Sequence, residues 1–127
     1  MHETCLAAES VICYPPLYNE LRALTPLATR TTETVASAAV SAAYEQGASC
    51  ILVLSASGST ARYISKYRPH CPIVTVTRNE KTARQIHIYR GCYPFIYHFP
   101  KIDCDRNWQV DVENRIKWGM EKAIKHG

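Results

Sequence analysis

Hydrophobic positions along this chain follow two rhythms. Ile51–Leu54 is apolar on four successive residues, and Pro72–Thr77 is largely apolar and β-branched. Unbroken runs of this kind mark strands buried on both faces, as in a parallel sheet. A third strand is expected over Tyr93–Phe99, with Pro94 near its start, where proline is tolerated. Between these runs the apolar residues recur at helical spacing. Leu6, Ala7, Ser10, Val11 and Tyr14 form one stripe, ended by Pro15-Pro16. Leu17, Leu21 and Leu24 form a second stripe. Thr25–Thr32 reads as a linker and the best boundary in the chain. A helix from about Glu33 to Gln46, capped by Thr31 or Thr32, buries Val35, Ala36, Ala39, Val40 and Ala43 and stops at Gly47. Ala61–Tyr67 is a short helix ended by Pro69. Glu80–Tyr89 is another, capped by Asn79 and closed by Gly91. Pro100–Asn107 is a polar connection. The last helix spans Trp108 to Lys125, with Val112, Ile116, Met120 and Ile124 at every fourth position and Ala123 beside them, a face suited to lie on a sheet.

Strands and helices therefore alternate, which predicts an α/β fold: a three-layer α/β/α sandwich with a mostly parallel sheet. Right-handed crossovers place neighbouring helices in layers on either side. Ligands of such folds sit beyond the carboxyl ends of the strands. Two stretches fall there, Ser55–Thr60 after the first strand and Thr77–Asn79 after the second.

The first of these is the centre of the chain. Ile51–Leu54 gives way abruptly to Ser55, Ala56, Ser57, Gly58, Ser59 and Thr60. Hydroxyl side chains, a glycine that lets the backbone come close, and the amides of a following helix are what an anion needs. An ordinary strand-to-helix loop, with Ser57 or Ser59 capping the helix, accounts for the same residues. No Gly-Lys-Ser/Thr ending follows, so this is not a nucleotide loop of the Walker type.

Length and composition narrow the class. One domain suits 127 residues, and 46% hydrophobic with 20% charged residues is the balance of a soluble globular chain. The net charge of +4 favours anionic ligands without demanding nucleic acid. Arg62, Lys66, Arg68, Arg78, Lys81, Arg84 and Arg90 gather in the middle, interleaved with Tyr63, Tyr67 and Tyr89. Solvated helix faces explain most of them. No nucleic-acid motif accompanies them. The six cysteines, Cys5, Cys13, Cys50, Cys71, Cys92 and Cys104, are scattered with no C-x-x-C pair. They read as reduced, buried thiols of a cytoplasmic protein. The five histidines do not stand at ligand spacing from any cysteine pair, so no metal site is expected. No leader or membrane-spanning run is visible.

No catalytic constellation emerges. Asp103, Asp105, Asp111 and Glu113 fit a polar helix start, and His2, His70, His87, His98 and His126 have no partner in sequence. Trp108 and Arg115 lie seven residues apart, about two helical turns, so they share a face. They offer a flat wall and a forked donor for phosphate. A packed tryptophan and a surface arginine are the more common explanation of such a pair.

Five segments together resemble the C-terminal region of pyruvate kinase: Thr32–Val40, Ile51–Thr60, Lys66-Tyr67-Arg68-Pro69, Val76-Thr77-Arg78-Asn79 and Ile88-Tyr89-Arg90-Gly91. Order and spacing both match, closest to fungal and animal forms. The resemblance implies that residues 1–24 are the helical segment leading out of that enzyme's barrel domain and that 25–127 belong to its regulatory domain. The full enzyme moves a phosphoryl group from phosphoenolpyruvate to ADP, giving pyruvate and ATP, with magnesium and potassium. That chemistry belongs to the barrel, so this chain is expected to be inactive alone, with no catalytic residue and no cofactor of its own. The resemblance further implies binding of the activator fructose 1,6-bisphosphate, its 6-phosphate in Ser55–Thr60 and its 1-phosphate at Trp108 and Arg115, and a subunit interface in a homotetramer. Ala56 stands where some responsive members carry lysine. The family continues beyond Gly127 into two more strands and a glycine-rich loop, so the chain is expected to be part of a longer protein. An assembly domain with no effector is the alternative.

Overall fold

The computed structural model describes residues 1–101 and 108–127. Three parallel strands, β1 (Ile51–Leu54), β2 (Ile73–Thr77) and β3 (Cys92–Ile96), form one sheet in the order β1-β2-β3. The helices are α1 (His2–Ser10), α2 (Tyr14–Leu24), α3 (Thr31–Gln46), α4 (Ser59–Lys66), α5 (Glu80–Ile86) and α6 (Trp108–Lys125). This is the α/β architecture that the alternating pattern predicts.

Register explains the layers. Val53 pairs with Thr75, and Leu52 with Val74. Successive residues of a strand face opposite ways. Val53 and Ile73 therefore share one face, where they meet Ala36 and Val40 of α3, Ala61 and Ile64 of α4, and Ile86 of α5. Leu52 and Val76 line the other face, beneath α6. Both crossovers step in the same direction across the sheet. Their helices, α4 and α5, consequently lie on one face rather than on either side, and α6 covers the second.

Several boundaries and faces differ from expectation, each for a physical reason. Pro15 and Pro16 sit in the first turn of α2, where a missing amide costs nothing, so they start that helix as well as ending α1. Neither Thr31 nor Thr32 caps α3; Arg30 holds the cap position without a side-chain bond, and Glu33 is fastened instead to Lys66, the last residue of α4, and to Tyr67 just after it. α5 ends at Ile86 because two tight turns, Ile88 N to Gln85 O and Tyr89 N to Ile86 O, redirect the chain into β3. Pro94 lies mid-strand opposite Thr75, on the sheet edge, where its missing amide is not needed. Asn79 caps α5 as expected, its Oδ1 accepting from Lys81 N at 2.9 Å. Cys5 and Cys13 are exposed, whereas Cys71 and Cys92 are buried; burial pushes the Cys92 thiol up to about 11. Cys104, Asp103, Asp105 and most of the polar connection fall outside the described residues.

The largest difference is the face of α6. Ile116, Met120 and Ile124 are 37%, 54% and 79% exposed. The helix instead turns Asp111 and Gly119 inward. Gly119 is the reason: a Cβ there would lie 2.8 Å from Leu52 Cδ1 and 2.9 Å from Val76 Cγ2. With only hydrogen at that position the helix axis approaches the sheet closely. Trp118 beside it packs edge-on to Tyr97 of the strand end, ring centroids 5.3 Å apart.

Candidate functional site at the carboxyl ends of the strands

The loop after β1 is held from three sides. Ser55 N donates to Val76 O of β2 at 3.1 Å. Ser55 Oγ accepts from Gly58 N at 2.8 Å. Thr82 Oγ1 of α5 donates to Ala56 O at 3.0 Å. Gly58 closes the loop with φ 80°, in the left-handed region. It is also pressed on α5, where a Cβ would stand 3.1 Å from Ile86 Cγ1. Both conditions require glycine.

Neither Ser57 nor Ser59 caps α4; Gly58 occupies the cap position. The two hydroxyls bond each other instead, at 3.0 Å, on the exposed side of the loop. The amides of Thr60 and Ala61 in the first turn of α4 have no partner among the described residues. Unsatisfied first-turn amides carry the positive end of the helix dipole. Beside them stand the exposed, mutually bonded hydroxyls of Ser57 and Ser59; the Thr60 amide lies at the half-exposed rim, whereas Ala61 is fully buried.

Arg115 lies on α6 at the same end of the sheet. Its Nε is 3.2 Å from Asp111 Oδ2, one helical turn earlier. The N–H is not directed at that oxygen, so Nε makes no hydrogen bond among the described residues. Asp111 is committed elsewhere. Arg78, directly after β2, grips it with two bonds, NH1 to Oδ2 at 3.2 Å and NH2 to Oδ1 at 2.6 Å. The Arg78 guanidinium also donates from Nε to Phe99 O at 3.3 Å and lies 5.1 Å over the Tyr97 ring. The hydrogen bond from Arg78, with added attraction from Arg115, holds the Asp111 carboxyl below the usual carboxylate range. Two arginines thus share one carboxylate, and the less firmly bonded one is the candidate phosphate ligand. Trp108 starts α6, 61% exposed. Among the described residues no hydrogen bond or ion pair joins the loop to Trp108 or Arg115.

Arg78 and Asp111 are the residues that sequence reasoning missed. Arg78 passed for a solvated helix cation and Asp111 for a helix-start acid. The signal was present in part: Arg78 follows a strand end, and Asp111 precedes Arg115 by four residues, the spacing that puts two side chains together on a helix.

A cavity of about 530 Å³ lies at the opposite end of the sheet, lined by Ser49, Cys50, Pro72, Tyr93 and Ile124 among others. Its mostly apolar wall makes it a poor match for an anion. Among the described residues no group of three His, Cys, Asp or Glu side chains could hold a metal ion, and no helix is long and apolar enough to cross a membrane.

Three parallel strands with helices on both faces, and a hydroxyl-rich loop at one strand end, define the class: an α/β domain. A family model described as pyruvate kinase, alpha/beta domain, matches residues 33–127. A pyruvate kinase of Agaricus bisporus is 61% identical over 98% of this chain and 23% of its own length. That of Candida albicans is 58% identical over the whole chain and 25% of its own length. Pyruvate kinase 1 of Saccharomyces cerevisiae is 50% identical over the same shares. The chain belongs to the pyruvate kinase family, as part of its C-terminal α/β domain, and spans about a quarter of the length of the curated relatives it matches.

Proposed function

We propose that this chain is the regulatory C-terminal part of a cytoplasmic pyruvate kinase and takes the activator fructose 1,6-bisphosphate. Ser55, Ala56, Ser57, Gly58, Ser59 and Thr60 receive the 6-phosphate; Trp108 and Arg115 receive the 1-phosphate. One observation carries the reading: the hydroxyl-rich loop and an incompletely bonded arginine stand at the same end of one sheet, on elements fixed by β1 and β2. Glycolytic phosphoryl transfer from phosphoenolpyruvate to ADP, with its magnesium and potassium, belongs to the barrel of the whole enzyme. Residues 1–24 lead out of that barrel, and the chain alone is inactive. Effector binding biases the parent homotetramer toward activity, a coupling typically on the order of 1–3 kcal/mol.

Calorimetric titration with fructose 1,6-bisphosphate tests the site. Saturable binding, weakened in Ser57→Ala and in Arg115→Ala, is the expected result. Heats no larger than dilution, from a chain whose circular dichroism shows it folded, overturn it.

Self-association is the second part of the proposal. Leu24, Leu27 and Val35 on the α2–α3 side and Met120 and Ile124 on α6 leave large apolar side chains in solvent. Such surface favours a covering subunit. Sedimentation velocity reads it directly: a concentration-dependent shift toward dimer supports it, and a monomer throughout the micromolar range opposes it. Association without phosphate binding favours the assembly-only alternative.

A further inference from the structure

We propose that Arg78 and Asp111 are positioning residues of the effector site: their ion pair holds Arg115 in place relative to the Ser55–Thr60 loop, so that one bisphosphorylated sugar can meet both. The inference rests on the effector reading above. It adds how the two halves of that site are kept in register.

The two halves sit on different elements. The loop is fixed to the sheet by Ser55 N on Val76 O and to α5 by Thr82 on Ala56 O. Arg115 sits on α6, which rests on the other face of the sheet. A cross-link at the strand ends is the Arg78–Asp111 pair, which reaches from the residue after β2 to the first turn of α6. Arg78 begins two residues after Val76, the same residue that holds the loop. One short segment of β2 therefore fastens both halves.

The bonding order assigns the roles. The Arg78 side chain is spent: both terminal nitrogens meet Asp111, Nε meets Phe99 O, and the plane lies over Tyr97. The Asp111 side chain is 8% exposed, and both its oxygens are engaged by Arg78. Arg115 is near enough to feel the carboxylate yet is not hydrogen-bonded through Nε. A carboxylate already neutralised by one arginine orients the second without consuming it. Arg115 keeps its positive charge for an incoming phosphate.

The test compares two probes on the full chain, fructose 1,6-bisphosphate and fructose 6-phosphate. The monophosphate reads the loop alone; the ratio of the two Kd values reads the contribution of Arg115. In the unaltered chain the bisphosphate binds roughly tenfold or more tighter, the scale of charge-assisted bonds to a second phosphate. Asp111→Asn and Arg78→Met are expected to bring the ratio close to one. Asp111→Asn added to Arg115→Ala is expected to cost nothing beyond Arg115→Ala, because both act through the same guanidinium. Arg78→Lys keeps the charge and the fold but cannot grip bidentately, so it too lowers the ratio. Variants that still discriminate as the unaltered chain does, or losses that add in the double variant, overturn the clamp while leaving the effector site standing. An unaltered chain that holds both sugars equally, or neither, overturns the effector reading and the clamp with it.

Discussion

Gly119 is the hinge of the packing, and Gly119→Ala measures how closely α6 lies on the sheet. Two effects oppose each other. Alanine in a helix interior is favoured over glycine by about 1 kcal/mol. Against this, the new methyl would stand 2.8 Å from Leu52 Cδ1 and 2.9 Å from Val76 Cγ2, inside contact distance. Leu52 can swing its far end aside. Val76 cannot: it is 1% exposed and β-branched, with a single preferred rotamer. Overpacking of this kind typically costs about 1–3 kcal/mol. The clash therefore wins, with a net loss of about 1 kcal/mol. For a chain of this size that lowers Tm by roughly 3–5 °C. Urea denaturation followed by circular dichroism gives the number. Val76→Ala in the same background removes the stiff neighbour, so the double variant loses less than the sum of the singles, by about 0.5 kcal/mol or more. A gain of about 1 kcal/mol in Gly119→Ala, the value of helix propensity alone, would refute the close approach and with it the rotated face of α6.

Three further predictions concern buried polar groups and caps. Thr75 is fully buried in β2 and its hydroxyl has no partner among the described residues; Thr75→Val removes an unpaid desolvation and should raise stability by about 1 kcal/mol in the same denaturation assay. Asn79→Ala removes the acceptor for Lys81 N and Thr82 N and should cost about 1 kcal/mol; Asn79→Asp should retain most of it. The Asp111 carboxyl is held below its ordinary value of 3.8, chiefly by its bond to Arg78. A group with a lowered folded pKa stabilises above its ordinary value and loses that contribution as pH falls through the folded one. Stability should therefore drop below about pH 4, and Asp111→Asn should flatten that limb in denaturation curves taken from pH 5 to pH 2.

The parts of the fold that were legible in sequence are those set by local chemistry. The continuous apolar runs of β1 and β2 have no other sensible reading, and Asn79 capping needs only the next three residues. The Ser55–Thr60 loop was visible because hydroxyls, glycine and a strand end coincide within six residues. The α6 face was misread because apolar spacing picks out the stripe through Ile116 and Met120, whereas a glycine with no side chain decides which face goes down. Apolar side chains also mark surfaces that other subunits cover. Arg78 and Asp111 escaped because they are 33 residues apart, and only the folded sheet brings a strand end against a helix start.

The most direct test of the central claim is a fluorescence titration with fructose 1,6-bisphosphate. The chain has two tryptophans, and Trp118 is packed on Tyr97, so Trp118→Phe leaves Trp108 as the reporter at the proposed 1-phosphate position. A saturable change in Trp108 emission, abolished by Arg115→Ala, is the predicted result. A folded chain whose Trp108 emission stays constant up to millimolar effector would contradict the regulatory reading.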